Sequence, residues 1–223
     1  MTTVANIRRR NSPLLHCASQ FKSDINHISN SLKELQKYRI EIRSGRYISL
    51  DNRKTELFLC LYFLKIHLSW ETFLESTLVR YLCGHTSPSG ASPTLLQGRQ
   101  TCISNALSTL LSGRNYLNWS PDEIINRSQT FLSMGEPYSS AISTARHELG
   151  NIYIIRNRIA HRSEYSQQNF RNLVRNEIGY NPRGMTTGRF LMTKKAAIGR
   201  TKITYLDHYL NIFSILCDLI VPL

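Results

Sequence analysis

Apolar positions along this chain recur in steps of three and four rather than two, which is the signature of helices with one buried face. Phe21, Ile25, Ile28, Leu32 and Leu35 set such a face, predicting a helix over residues 19–43 that Ser44 and Gly45 stop. A short connector through Tyr47 and Asp51 follows. Residues 51–83 then give the longest apolar stretch, with Leu57, Leu61, Leu64, Leu68, Glu71, Glu75, Leu78 and Leu82 as a continuous seam. Phe58, Tyr62, Phe63, Trp70 and Phe73 crowd its other faces, so this helix is expected at the centre of the fold. Asp51 or Asn52 suits its N-cap, and Gly84 its stop.

Residues 84–93 hold two glycines, two prolines and three serines and read as a loop. Shorter helices are predicted over 102–111 and 121–131. The second opens on Ser120-Pro121-Asp122-Glu123, with Ser at the N-cap, Pro at the first helical position and Glu at the third. A second long helix is predicted from residue 137 to 162, tolerating Gly150. A short one follows over 169–178, closed by Gly179 and Pro182. Residues 183–201 are basic and dotted with glycine, an expected exposed loop. Leu206, Leu210, Phe213, Ile215, Leu216, Leu219 and Ile220 mark a last helix that docks on the core. Alternation of the strand type is too sparse for a sheet. The predicted fold class is therefore all-α, a helical bundle with two long central helices in a single domain over 1–223, preceded by a basic arm at 1–15.

Charge adds direction to this outline. Twenty-eight Lys and Arg against fifteen Asp and Glu leave a net charge of +13, and the pI is near 9.8. Such a surplus attracts polyanions and speeds their encounter. It is concentrated: residues 171–202 carry eight basic side chains and a single acid, Glu177. A nucleic-acid contact surface is the reading taken, with a solubilising face as its alternative. Arg8, Arg9 and Arg10 precede the first acid, Asp24, and make the N-terminal arm basic. No strictly apolar run reaches membrane-spanning length and no secretory apolar region opens the chain, so no membrane partner is expected. Five cysteines (Cys17, Cys60, Cys83, Cys102 and Cys217) lie scattered, as reduced thiols of a cytoplasmic protein would. The histidines form no pair with metal-ligand spacing, so neither a metal nor another cofactor is expected.

The chemistry concentrates in Arg156-Asn157-Arg158-Ile159-Ala160-His161. The seam Ile142, Ala145, Leu149, Ile152 runs into Arg156 and then Ile159, so a guanidinium takes a seat that spacing gives to an aliphatic side chain. Such a group is costly there unless it is paired or serves a ligand. Glu71 and Glu75 sit on the other long seam, and a buried Arg–Glu pairing would account for both oddities without any function. Asn157 lies four residues before His161 and shares its face, while Arg156 is about 140° away on an ideal helix. Histidine moves protons near neutral pH, and arginine holds the extra negative charge of a five-coordinate phosphate. RNA supplies its own nucleophile in the 2′-hydroxyl.

The same run resembles the Arg-polar-x-x-x-His signature of the HEPN superfamily, which lies late in a long helix of an all-α bundle. Ser69-Trp70-Glu71-Thr72-Phe73-Leu74-Glu75 resembles the aromatic and acidic helix of bacterial HEPN proteins from defence and toxin–antitoxin loci. The resemblance covers residues 20–165 and continues more weakly beyond. It implies an endoribonuclease that needs no metal and acts as a homodimer, with Arg156 and His161 of both copies lining one cleft. Asn157 then takes the place of the family's polar residue, and the products end in a 2′,3′-cyclic phosphate or 3′-phosphate. Arg158 and Arg162 flank the motif and are expected either to hold neighbouring phosphates of the RNA or simply to face solvent. An antitoxin or defence-system protein is an implied partner. Members neutralised by nucleotidyltransferases carry a tyrosine two residues after the histidine; Ser163 stands there and Tyr165 comes two positions later, so an antitoxin here is expected to act by binding. The alternative is a non-catalytic HEPN-like module that binds RNA or protein. A DNA-binding regulator finds no helix-turn-helix pattern to support it.

Overall fold

The structure, a computed structural model, describes residues 12–37, 39–43, 46–49, 51–195 and 203–223. Its fold class is all-α, a helical bundle, with nine α-helices among the described residues. In chain order these are α1 (Pro13–Lys37), α2 (Asn52–Leu82), α3 (Ile103–Leu111), α4 (Pro121–Phe131), α5 (Tyr138–Thr144), α6 (Arg146–Ala160), α7 (Glu164–Ile178), α8 (Thr187–Met192) and α9 (Tyr205–Ile220). Strands β1 (Arg39–Arg43) and β2 (Arg46–Ser49) form an antiparallel hairpin between α1 and α2.

The first predicted helix therefore ends six residues early. Arg39-Ile40-Glu41-Ile42-Arg43 alternates polar and apolar residues, the sequence signal for a strand. Ile40 pairs opposite Ile48 and Glu41 opposite Tyr47. The basic arm also ends earlier than expected, because Pro13 opens α1 and Leu14 is buried; the triplet Arg8–Arg10 lies outside the described residues. Asp51 caps α2, its carboxylate accepting from the Lys54 amide at 2.8 Å. Gly84 ends that helix region at φ 73°, a conformation that favours glycine. Ser120 does occupy the N-cap of α4, but its side chain makes no capping bond, and its own amide donates to Asn118 Oδ1 at 3.1 Å.

The chain divides into two compact units, and α1, α2, α6 and α9 each contribute a segment to both. The first comprises residues up to 23, 69–150 and 212–223. Its core is aromatic: Phe21 stacks on Phe73 at 5.1 Å, and Trp70 meets Phe213 at 5.2 Å. Buried hydroxyls find partners there, Tyr81 donating to the Ile220 carbonyl at 2.7 Å and Tyr138 to Thr77 Oγ1 at 2.8 Å. Arg127 is buried against the Trp119 ring at 5.0 Å and is paired with Glu123 at 3.8 Å.

The second unit comprises residues 24–68 and 151–211 and carries the sequence motif. Its core joins Ile25, Ile28 and Leu32 of α1 to Leu59, Phe63 and Ile66 of α2, and to Ile152 and Ile155 of α6. Phe190 stacks on Tyr205 at 4.3 Å and meets Phe170 edge-on at 5.9 Å, which fastens α8 to α7 and α9. The supposedly exposed stretch after residue 183 thus contains a docked helix, with Thr186 as its N-cap and Phe190 and Leu191 buried. Residues 196–202, the end of that expected basic loop, lie outside the described residues. Glu177 ties the unit together, accepting from Asn151 at 2.8 Å and from Lys195 at 3.0 Å, while its carbonyl takes the Tyr205 hydroxyl at 3.1 Å.

Two seam expectations are corrected. Leu57, Leu61 and Leu68 are 58%, 52% and 58% exposed, so the first half of the leucine seam is surface and the aromatic face carrying Phe63, Ile66 and Trp70 is core. The α2 helix is long and apolar enough by length and composition to cross a membrane, since it is apolar on both its buried and its open faces. The second long helix is interrupted at Ala145 (φ −118°, ψ 25°), which separates α5 from α6.

Gly188 is where α8 comes closest to α2. A Cβ placed there meets the Cα, Cβ and carbonyl oxygen of Glu56 at 2.8 Å. Backbone cannot yield as a side-chain tip can, so Gly188→Ala is expected to destabilise the protein by about 1–3 kcal/mol through overpacking. Urea unfolding checks this; a midpoint equal to wild type would show that the helix contact is loose.

Candidate functional site

Ile152 and Ile155 are the residues through which α6 enters the core of the second unit, and both are fully buried. The apolar seam therefore passes through Ile155, not Arg156. Arg156 stands beside it, half-buried, and lines the surface next to that seam. The guanidinium donates to Asn157 Oδ1 at 3.1 Å and forms no ion pair with a carboxylate among the described residues. Glu75 lies within electrostatic reach of Arg127.

Arg156, Asn157 and His161 line one open cleft of about 490 Å³. An unbroken helix would hold Arg156 and His161 well apart around its axis. Here α6 ends at Ala160, and the chain turns through residues 161–163 before α7 begins. The His161 amide still donates to the Asn157 carbonyl at 2.8 Å, which keeps this last turn in register. Ser166 then donates from its hydroxyl to the His161 carbonyl at 2.7 Å and to the Ser163 carbonyl at 2.8 Å. Ser163 caps α7 by accepting from the Ser166 amide at 3.2 Å. The α6–α7 corner is thus pinned by backbone groups, leaving the exposed His161 ring open to a ligand.

Sequence reasoning missed the rest of the cleft. Tyr153, Tyr165 and Asn169 also line it, and Tyr165 is 78% exposed. Tyr153 lies one turn before Asn157 on α6, so helical spacing from the motif was a signal that pointed to it. Tyr165 and Asn169 reach the cleft only because α7 folds back, which spacing on one helix does not reveal. Aromatic faces beside a guanidinium and an imidazole suit bases stacked near a bound phosphate.

Arg158 and Arg162 are not part of this group. Both line a separate cavity with α2, α7 and the loop before α8. Arg156 and Arg158 are two residues apart, about 200° around the helix, so a buried Ile155 sends them to opposite flanks. Among the described residues no cluster of three or more His, Cys, Asp or Glu side chains has an arrangement able to hold a metal ion.

Compared with protein-family models, curated proteins and solved structures, the chain matches none of them.

His67 on α2 is a buried neighbour of this flank. Burial, reinforced by the charge of Arg156, pushes its imidazole down to about 4 from an ordinary 6.5. The folded ring is therefore neutral where an unfolded one would take a proton. Stability is fully present above pH 6.5 and falls as the pH drops from there towards 4, by up to about 3 kcal/mol at the rate of 1.36 kcal/mol per pKa unit. His67→Leu is expected to flatten that part of the stability–pH curve in denaturant titrations. A slope unchanged by the substitution would assign the acid sensitivity to other groups.

Proposed function

We propose that this protein is a metal-independent endoribonuclease, a toxin or anti-phage defence effector that cuts RNA by attack of the 2′-hydroxyl. The observation that carries the reading is one open cleft lined by a guanidinium without a carboxylate partner, an amide and an exposed imidazole. Its resemblance to the HEPN signature agrees with this chemistry and with the helical fold class. In the reaction the 2′-oxygen bonds to phosphorus as the bond from phosphorus to the 5′-oxygen breaks, leaving a 2′,3′-cyclic phosphate and a 5′-hydroxyl. The proton leaves the 2′-hydroxyl and a proton reaches the departing 5′-oxygen. One imidazole cannot stand on both sides of an in-line displacement, so two copies of His161, one from each protomer of a homodimer, divide the roles of base and acid. Arg156 stabilises the charge that builds on the equatorial oxygens, and Asn157 orients the guanidinium. The net charge of +13 draws the polyanionic substrate in. A homodimer also accounts for the uncovered Leu57, Leu61 and Leu68, since clustered apolar surface commonly marks an interface.

The exposure of His161, whose ring is oriented by no described neighbour, keeps a second reading: a non-catalytic HEPN-like module that binds RNA or a partner such as an antitoxin.

The test is RNA cleavage by the purified protein in EDTA, with the product ends identified. His161→Ala and Arg156→Ala are each expected to lower the rate by about a hundredfold or more, and Asn157→Ala by less. Cutting that survives both of the first two substitutions would remove Arg156 and His161 from the reaction. Salt-sensitive RNA binding by wild type and His161→Ala alike, without any cleavage, would establish the binding module instead.

A further inference from the structure

A larger cavity, of about 650 Å³, lies on the flank of α6 away from Arg156 and His161. It belongs wholly to the second unit, between α2, α6, α7 and the loop that leads into α8. Arg158, Arg162, Arg171 and Arg183 line it, and no carboxylate does among the described residues. Four guanidinium groups lining one cavity repel one another, and an anion relieves that repulsion.

Arg158 makes the case specific. Its Nη1 is shut off from solvent and has no hydrogen-bond partner among the described residues. A buried cationic donor left unsatisfied carries a desolvation cost, and no carboxylate among the described lining residues offsets it. Other cations in this protein are treated differently: Arg127 is paired with Glu123, Arg189 with Glu56 and Lys195 with Glu177.

The far wall is firmly held. Glu56 accepts from the Thr186 hydroxyl at 2.6 Å and from Arg189 Nε at 2.7 Å, and Arg189 Nη1 donates to the Gly184 carbonyl at 3.1 Å. The loop carrying Arg183 is thereby clamped to α2. Among the arginines, Ile159, Phe170, Val174 and Met185 supply apolar surface, while Gln167 and Asn181 supply amides. The Cys60 thiol at this wall is engaged with Thr187 at 3.2 Å, and burial raises its pKa, so the cavity offers a binding surface rather than a nucleophile. Arginines beside a greasy wall with a few amides suit a ligand with phosphates at one end and a flat, weakly polar body at the other. The volume falls in the range of small-molecule sites, about 300–1,000 Å³.

We infer that this cavity is a binding site for a nucleotide, separate from the RNA-cutting cleft, with the arginines holding the phosphates and the apolar wall holding the base. The inference stands whether or not the protein is a nuclease. Isothermal titration and thermal melting of the full-length protein with ADP, AMP, inorganic phosphate and a non-cleavable 2′-O-methyl RNA test it. ADP is expected to bind and to raise the melting temperature of wild type and His161→Ala alike. Inorganic phosphate is expected to bind more weakly and to compete with ADP. Arg158→Met and Arg171→Met are each expected to weaken ADP at least tenfold while preserving the helical circular dichroism. Arg171 is exposed, so its variant reports on the cavity even if Arg158→Met perturbs folding. Absence of ADP binding at millimolar concentration, or ADP binding unaltered by Arg171→Met, overturns the proposal. So does loss of RNA binding in both arginine variants when ADP never binds, because the arginines then form a track for an RNA strand.

Discussion

A helix can turn only one face into a core, and for α6 that face is set by Ile152 and Ile155. Once those two side chains are buried, the angular positions of the following residues are largely fixed. Arg156 falls to one flank and Arg158 to the other, about 200° away. A run of basic residues that looks like one patch in the sequence thus becomes the lining of two different recesses. The packing of two isoleucines therefore decides which arginine shares a cleft with His161.

The end of the helix supplies the remaining degree of freedom. While α6 is regular, Arg156 and His161 diverge; when it stops at Ala160, the backbone turns and α7 returns alongside with Tyr165 and Asn169. Ser163 and Ser166 hold that corner through bonds to backbone groups. Stability is thereby taken from the main chain at the corner, and the side chains of His161 and Tyr165 are left for a ligand. A similar economy operates at Glu56, which clamps the loop before α8 through Thr186 and Arg189 and leaves Arg183 unengaged by that clamp.

The distribution of positive charge follows the same logic. Arg127, Arg189 and Lys195 each sit with a carboxylate, and Arg80 and Arg99 donate to the Ser76 and Cys83 carbonyls. Among the described residues Arg156 and Arg158 form no ion pair with a carboxylate, and each lines a recess wide enough for a ligand. The polyanion attraction implied by composition is a property of the whole chain, but lining a recess is what distinguishes individual arginines within it.

The helical class, the extents of α2, α3 and α4, the place of α9, and the shared face of Asn157 and His161 were legible in residue order, because each depends on spacing within one helix or on a local cap. The hairpin was legible too, in the alternation from Arg39 to Arg43, although helical spacing upstream masked it. Which face of α2 is buried was not: that helix is apolar nearly all round, so periodicity alone had no basis for preferring Phe63 and Trp70 over Leu57 and Leu61. Nor did order along the chain show that Ile155 rather than Arg156 meets the core, that Tyr165 folds back to the motif, or that Arg158 leaves it. Those outcomes depend on what packs against each helix, and that is settled only when distant segments compete for the same buried volume.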